Sequence, residues 1–151
     1  MALRDRERHS SALFARRTSQ ARAHKVVKDS TRLFLASFAA EYLAGSGLPP
    51  EFLQSLSATK AAGTWDTYAG AARKWFAHAA GLGVPAIPAD PVRFACWLAT
   101  VGRDDRSYKP TKARCCAIDA LSELAGAQPI SADARIAARR NRIARTKTYR
   151  R

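Results

Sequence analysis

Acidic residues are scarce in this sequence: 12 Asp and Glu stand against 26 Lys and Arg, giving a formal net charge of +14 in 151 residues. An excess of that size argues against a neutral cytosolic enzyme and for a polyanionic partner. Cysteine is equally sparse. Cys96, Cys115 and Cys116 are odd in number and two of them are adjacent, which excludes a disulfide framework and fits a reducing, intracellular compartment. No apolar run approaches the roughly 18 residues of a membrane helix, and Met1 to Arg8 leads into no apolar core of a secretory signal. No membrane partner is expected. Period-two alternation is missing too, and β-branched residues are few, so a sheet is not expected.

Catalytic and cofactor signatures are missing as well. His9, His24 and His78 are the only histidines, and the cysteines lack the spacing of a zinc site. There is no GxxxxGK phosphate loop, and Gly81-Leu82-Gly83 lacks the third glycine of a dinucleotide fingerprint. Neither a metal nor a cofactor is expected. Cys115 and Cys116 stand beside Arg114, but packing is the simpler role for them.

Against these absences, hydrophobic residues make up 47% and charged residues 25%, the balance of one globular domain. The basic excess lies at the two ends. Residues 1–28 carry eight basic and two acidic residues, residues 135–151 carry eight basic and no acidic ones, and the stretch between them is neutral. Residues 1–30 read as a basic, mobile arm. Residues 31–48 read as an extra amphipathic helix with a Gly/Pro linker, and residues 49–151 as the main helical domain.

The periodicity predicts an all-α fold, a bundle of four to five helices behind the basic arm. Leu33, Leu35, Phe38, Tyr42 and Leu43 share one helical face, and a short helix is expected over 50–56. The clearest helix opens at Gly63-Thr64 with Thr64 as N-cap and Asp66 in its first turn. It buries Trp65, Tyr68, Ala72, Trp75, Phe76 and Ala79, and stops at Gly81 to Gly83. Asp90-Pro91 then caps a helix with Val92, Ala95, Leu98 and Val101 inward and Phe94 and Trp97 beside them. Pro110 starts the next, with Ala117, Ile118, Leu121, Leu124 and Ala125 inward, closed by Gly126. Ser131 is expected to cap the last, which places Ile136 and Ile143 on one side and spreads Arg135, Arg139, Arg142 and Arg145 over the rest.

Nucleic-acid binding is the chemistry with most to work with. Arg106, Ser107, Tyr108, Lys109, Thr111, Lys112 and Arg114 lie on a loop leading into a helix N-terminus, where backbone N–H groups and the helix dipole favour phosphate. An ordinary polar loop, and ordinary solvated basic tails, remain the alternatives.

The run Gly63-Thr64-Trp65-x-x-Tyr68, Arg73-Lys74-Trp75-Phe76, Ala89-Asp90-Pro91-Val92, Trp97-Leu98, Arg106-Ser107-Tyr108-Lys109-Pro110-Thr111, Ala117-Ile118-x-x-Leu121 and Leu124-Ala125-Gly126, followed by Pro129 and an Arg-rich helix, resembles the N-terminal core-binding domain of tyrosine recombinases and phage integrases. The resemblance covers about residues 49–151. It implies a SAM-like helical bundle forming half of a clamp around double-stranded DNA, with Thr64, Thr67 and Lys109 at positions where such proteins approach DNA and Arg73 matching a basic position on the same helix as the two threonines. Lys74, Arg106, Thr111, Lys112 and Arg114, with the arginines of the last helix, complete the expected DNA-binding set. The family's catalytic Arg, Lys, His-x-x-Arg and tyrosine set is missing from this sequence. Tyr149 stands in a basic segment where the resemblance puts an interdomain linker.

The expectation is therefore DNA binding in recombination or integration, by a chain that is not an enzyme on its own. A catalytic recombinase domain and further copies of the chain on DNA are the additional partners the resemblance implies. Two rivals stay open: a basic structural RNA-binding protein, and a non-catalytic subunit or truncated remnant of a mobile-element recombinase.

Overall fold

A computed structural model describes residues 26–45 and 55–148, together with Gly47, Pro49 and Glu51. The described residues form five α-helices and no strand, as the apolar periodicity predicts. Most of the basic arm, part of the short helix expected over 50–56, and Tyr149 lie outside them.

Helix α1 (Asp29–Phe38) continues into a π-helical turn over Ala39–Leu43 and buries Leu35, Phe38 and Leu43. Leu33, expected on the same inward face, is 70% exposed. The packed structure starts before the expected end of the arm. Val27 is already buried, and the Lys28 backbone N–H donates to Asp66 Oδ1 at 3.0 Å.

Helix α2 (Ala62–Leu82) is the centre of the bundle, packed between α1 and helix α4 (Lys109–Leu124). It begins two residues before Thr64, so Thr64 is not its N-cap and Asp66 falls in the second turn. Ala61 occupies the cap position with no side-chain hydrogen bond. The first N–H groups of a helix need no internal acceptor, so Gly63 and Thr64 fit inside the opening turn. Ala69, Ala72, Trp75 and Ala79 are fully buried along its inner face, and Gly83, at φ 68°, ends the helix in the left-handed conformation that glycine adopts without strain.

Helix α3 (Pro91–Val101) has the cap read from the sequence: Asp90 Oδ2 accepts the Arg93 N–H at 2.9 Å, and Pro91 opens the first turn. Its inward face is rotated from the expected one. Phe94, Trp97 and Leu98 are buried, whereas Val92 is 49% exposed. The large rings decide the orientation, because they gain most from burial. Phe94 and Trp97 lie 5.1 and 5.5 Å from Trp75, whose indole N–H donates to the Ala86 carbonyl at 3.0 Å.

Helix α5 (Ala134–Thr148) packs on α3 and closes the bundle with buried Ile136. Ser131 is not its cap: it belongs to a 3₁₀ turn over Ile130–Ala132, and Asp133 accepts the Arg135 N–H at 2.9 Å instead. The Arg135 side chain, joined by its backbone N–H, holds the Asp133 carboxyl down at about 2. Among the described residues no helix is long and apolar enough to cross a membrane.

Candidate nucleic-acid interface

Small residues open a groove between α2 and α4. Gly70 and Ala71 on one side and Pro110 and Ala113 on the other leave a volume of about 600 Å³, and nothing lies within 4 Å of where a Gly70 side chain would begin. Thr67, Lys74, Lys109 and Arg114 complete the lining. Four residues expected from the sequence to contact DNA, separated by up to 47 positions, thus share one groove.

Their availability differs. Lys74 and Lys109 are exposed in the lining, and Arg73 on α2, Lys112 on α4 and Arg106 on the α3–α4 loop are exposed outside it. Thr67 is exposed with its hydroxyl donated to the Gly63 carbonyl at 3.0 Å, so its oxygen lone pairs face outward as acceptors. Thr64, one turn earlier, is half-buried. The first turn of α4 holds no acidic side chain, and Tyr108 caps it without a side-chain hydrogen bond. The field at that end is therefore positive from the dipole and from Lys109 and Lys112 together.

Two expected contacts are corrected. Thr111 is fully buried and its hydroxyl has no hydrogen-bond partner, so it faces the core and not a ligand. It falls on the inward stripe of α4 with Cys115, Ile118 and Ser122. Arg114 is committed inside the protein: its Nη1 meets Asp105 Oδ2 at 2.6 Å, with only 11% of the side chain exposed. It shapes the groove and fixes the loop but has little freedom to seek phosphate.

That loop is held from a second side. Lys147, in the last turns of α5, donates to the backbone carbonyls of Asp105 and Arg103. Arg114 and Lys147 together fix the loop that displays Arg103 and Arg106. Neither anchor was legible as such: Arg114 reads from the sequence as a DNA contact, and nothing in the sequence singles out Lys147.

The α5 arginines divide by role. Arg135, Arg139 and Arg142 line a separate groove between α3 and α5, and Arg145 is exposed outside both grooves. Arg140 is structural. Its Nε donates to the Tyr108 hydroxyl and its Nη1 to Ser131 Oγ, both at 3.0 Å, and Ser131 in turn donates to Asp119 at 2.5 Å. These bonds tie α5 to the N-cap residue of α4 and, through Ser131, to Asp119 in its C-terminal half.

The described residues contain no cluster of three or more His, Cys, Asp or Glu able to hold a metal ion. Burial pushes the Cys115 thiol up to about 12, which keeps it protonated and unreactive. His78 is exposed, its ring 5.9 Å from that of Trp75.

No family model, curated protein or solved structure matches the chain.

Proposed function

We propose that the chain binds double-stranded DNA through the α2–α4 groove and its cationic flanks, as a SAM-like core-binding module of the tyrosine recombinase type. Its role is binding; strand cleavage and joining need residues that this sequence does not carry. The observation that supports this reading best is the convergence of Thr67, Lys74 and Lys109 on one groove with no acidic side chain in its lining. Arg73, Lys74, Arg106, Lys109 and Lys112 supply phosphate contacts, which set affinity and register. Thr67 and the start of α4 are the parts placed to meet base edges, because the major groove of B-DNA admits a helix.

The rings of the described residues favour duplex over RNA. Single-stranded RNA is read by stacking bases on exposed aromatics, whereas Trp65 and Trp75 are fully buried and Tyr68 and Phe76 are half-covered. Fluorescence anisotropy with a random duplex, a matched single strand and a folded RNA over a salt series tests the reading. Five phosphate contacts give a slope of log K against log salt of about −4.5 on duplex. Equal or tighter binding to the RNA would overturn the assignment in favour of a structural RNA binder.

A further inference from the structure

The second groove, between α3 and α5, has a different chemistry from the first. Its floor is apolar and made of small side chains, Ala95, Cys96 and Ala99 from α3 and Ala138 from α5, with Val92 at its edge 49% exposed. Arg135, Arg139 and Arg142 form one long side. The volume is about 610 Å³. From Val92 to Thr100 the α3 wall runs about 12 Å, the length of just over two helical turns.

A phosphate backbone would satisfy the arginines but offers no apolar side chains to Val92, Ala95 and Ala99. Arg135 is paired with Asp133, but Arg139 and Arg142 still repel a basic segment, and residues 1–28 of this chain carry eight basic residues against two acidic ones. The chain's own arm is therefore a poor occupant. An amphipathic helix with an apolar stripe and an acidic flank satisfies both features: the stripe enters between small residues that allow close approach, and the flank meets the arginines. Arg139 and Arg142 also line a smaller groove beside it, with Leu98, Gly102 and Ile143, so the cationic side continues past the end of the alanine floor.

We propose that the α3–α5 groove is the docking site for an acidic amphipathic helix of a partner protein, separate from the DNA-binding face. Two turns of that helix lie along α3, with apolar residues at i, i+3 or i+4, and i+7 on the alanine floor and Glu or Asp against Arg139 and Arg142.

The probe is a fluorescein-labelled peptide of about 18 residues, long enough to hold helix in water, with Leu on one stripe and Glu beside it. A scrambled peptide of the same composition is its control. Cys96 reports on the site directly, because it is exposed on the groove floor while Cys115 is buried. The ordered peptide should slow alkylation of Cys96 by N-ethylmaleimide. Val92→Glu and Arg142→Glu, both at exposed positions, should each weaken peptide binding about tenfold, the loss expected from one interface anchor, with unchanged melting temperature. Equal binding by the scrambled peptide would reduce the effect to bulk charge and overturn the proposal. So would protection of Cys96 by duplex DNA, which would make the groove part of the nucleic-acid surface. Concentration-dependent protection in the protein alone would assign the groove to a second copy and overturn it as well.

Discussion

Thr31 donates its hydroxyl to Asp66 at 2.6 Å across 35 positions of the chain, and the same carboxylate oxygen accepts the backbone N–H of Lys28. One acidic side chain on the central helix thus receives two donors from the start of α1. Thr31 is 1% exposed, so its hydroxyl has no water to turn to if the acceptor is lost. Asp66→Ala should cost about 1–2 kcal/mol in urea denaturation, the usual penalty for an unsatisfied buried donor. Thr31→Val, which removes donor and demand together, should cost less. Equal stability of Asp66→Ala and the wild type would show that packing alone holds α1.

For DNA binding, Lys74→Ala, Lys109→Ala and Lys112→Ala should each weaken duplex affinity and reduce the salt slope by about 1. Thr111→Val should leave both unchanged, since the hydroxyl is buried and without a partner. Anisotropy titrations at three salt concentrations separate the two behaviours.

Within α5, position decides what an arginine does. Arg140→Met should destabilise by about 1–2 kcal/mol, because it releases the Tyr108 hydroxyl and Ser131 from a half-buried network. Arg145→Ala, at an exposed position, should change stability by no more than about 0.5 kcal/mol. Thermal melts of the two variants distinguish a structural arginine from a surface one.

Cys115 predicts an alkaline weakness. Its thiol, ordinarily near 9.0, is raised to about 12 by burial, so the folded protein holds this proton longer than the unfolded chain. The contribution is complete below pH 9 and is lost as pH rises toward 12. Cys115→Ala should therefore flatten the fall in stability between these values, as read by denaturation midpoints of variant and wild type. Alkylation should reach Cys96 first and Cys115 only on unfolding.

Local signals in the sequence were sufficient where the physics is local. Asp90-Pro91, Gly83 and Gly126 mark helix ends because capping bonds and left-handed backbone depend on near neighbours. Lys109 stood out from its helix start and Thr67 through the resemblance, but that both line one groove with Lys74 depends on helix packing that the sequence does not spell out. The same local rules misplaced the caps at Thr64 and Ser131, and another failure came from a contact outside any helical period. Asp105 and Arg114 pair nine positions apart across a loop–helix junction, which no helical period encodes. Thr111 looked like a ligand contact because it is polar at a helix start. Its spacing of four and seven residues from Cys115 and Ile118 was the available signal that it turns inward. The charge of α5 concealed its structural part: with Ile136 in the core and Arg140 in a network, removing residues 135–151 would cost the fold, so single substitutions are the way to probe its cations.

Lys147 gives the chain a return path. Its hold on the carbonyls of Arg103 and Asp105 joins the last helix to a loop more than 40 positions earlier. Opening of the two segments should then be one cooperative event and not fraying of one end alone. Amide protons around 102–108 should exchange with solvent at rates that follow those of α5, and Lys147→Met should accelerate exchange in the loop while the interior of α2 keeps its protection. The display of Arg103 and Arg106 is set, in this sense, by the local unfolding equilibrium of a helix that lies elsewhere in the sequence.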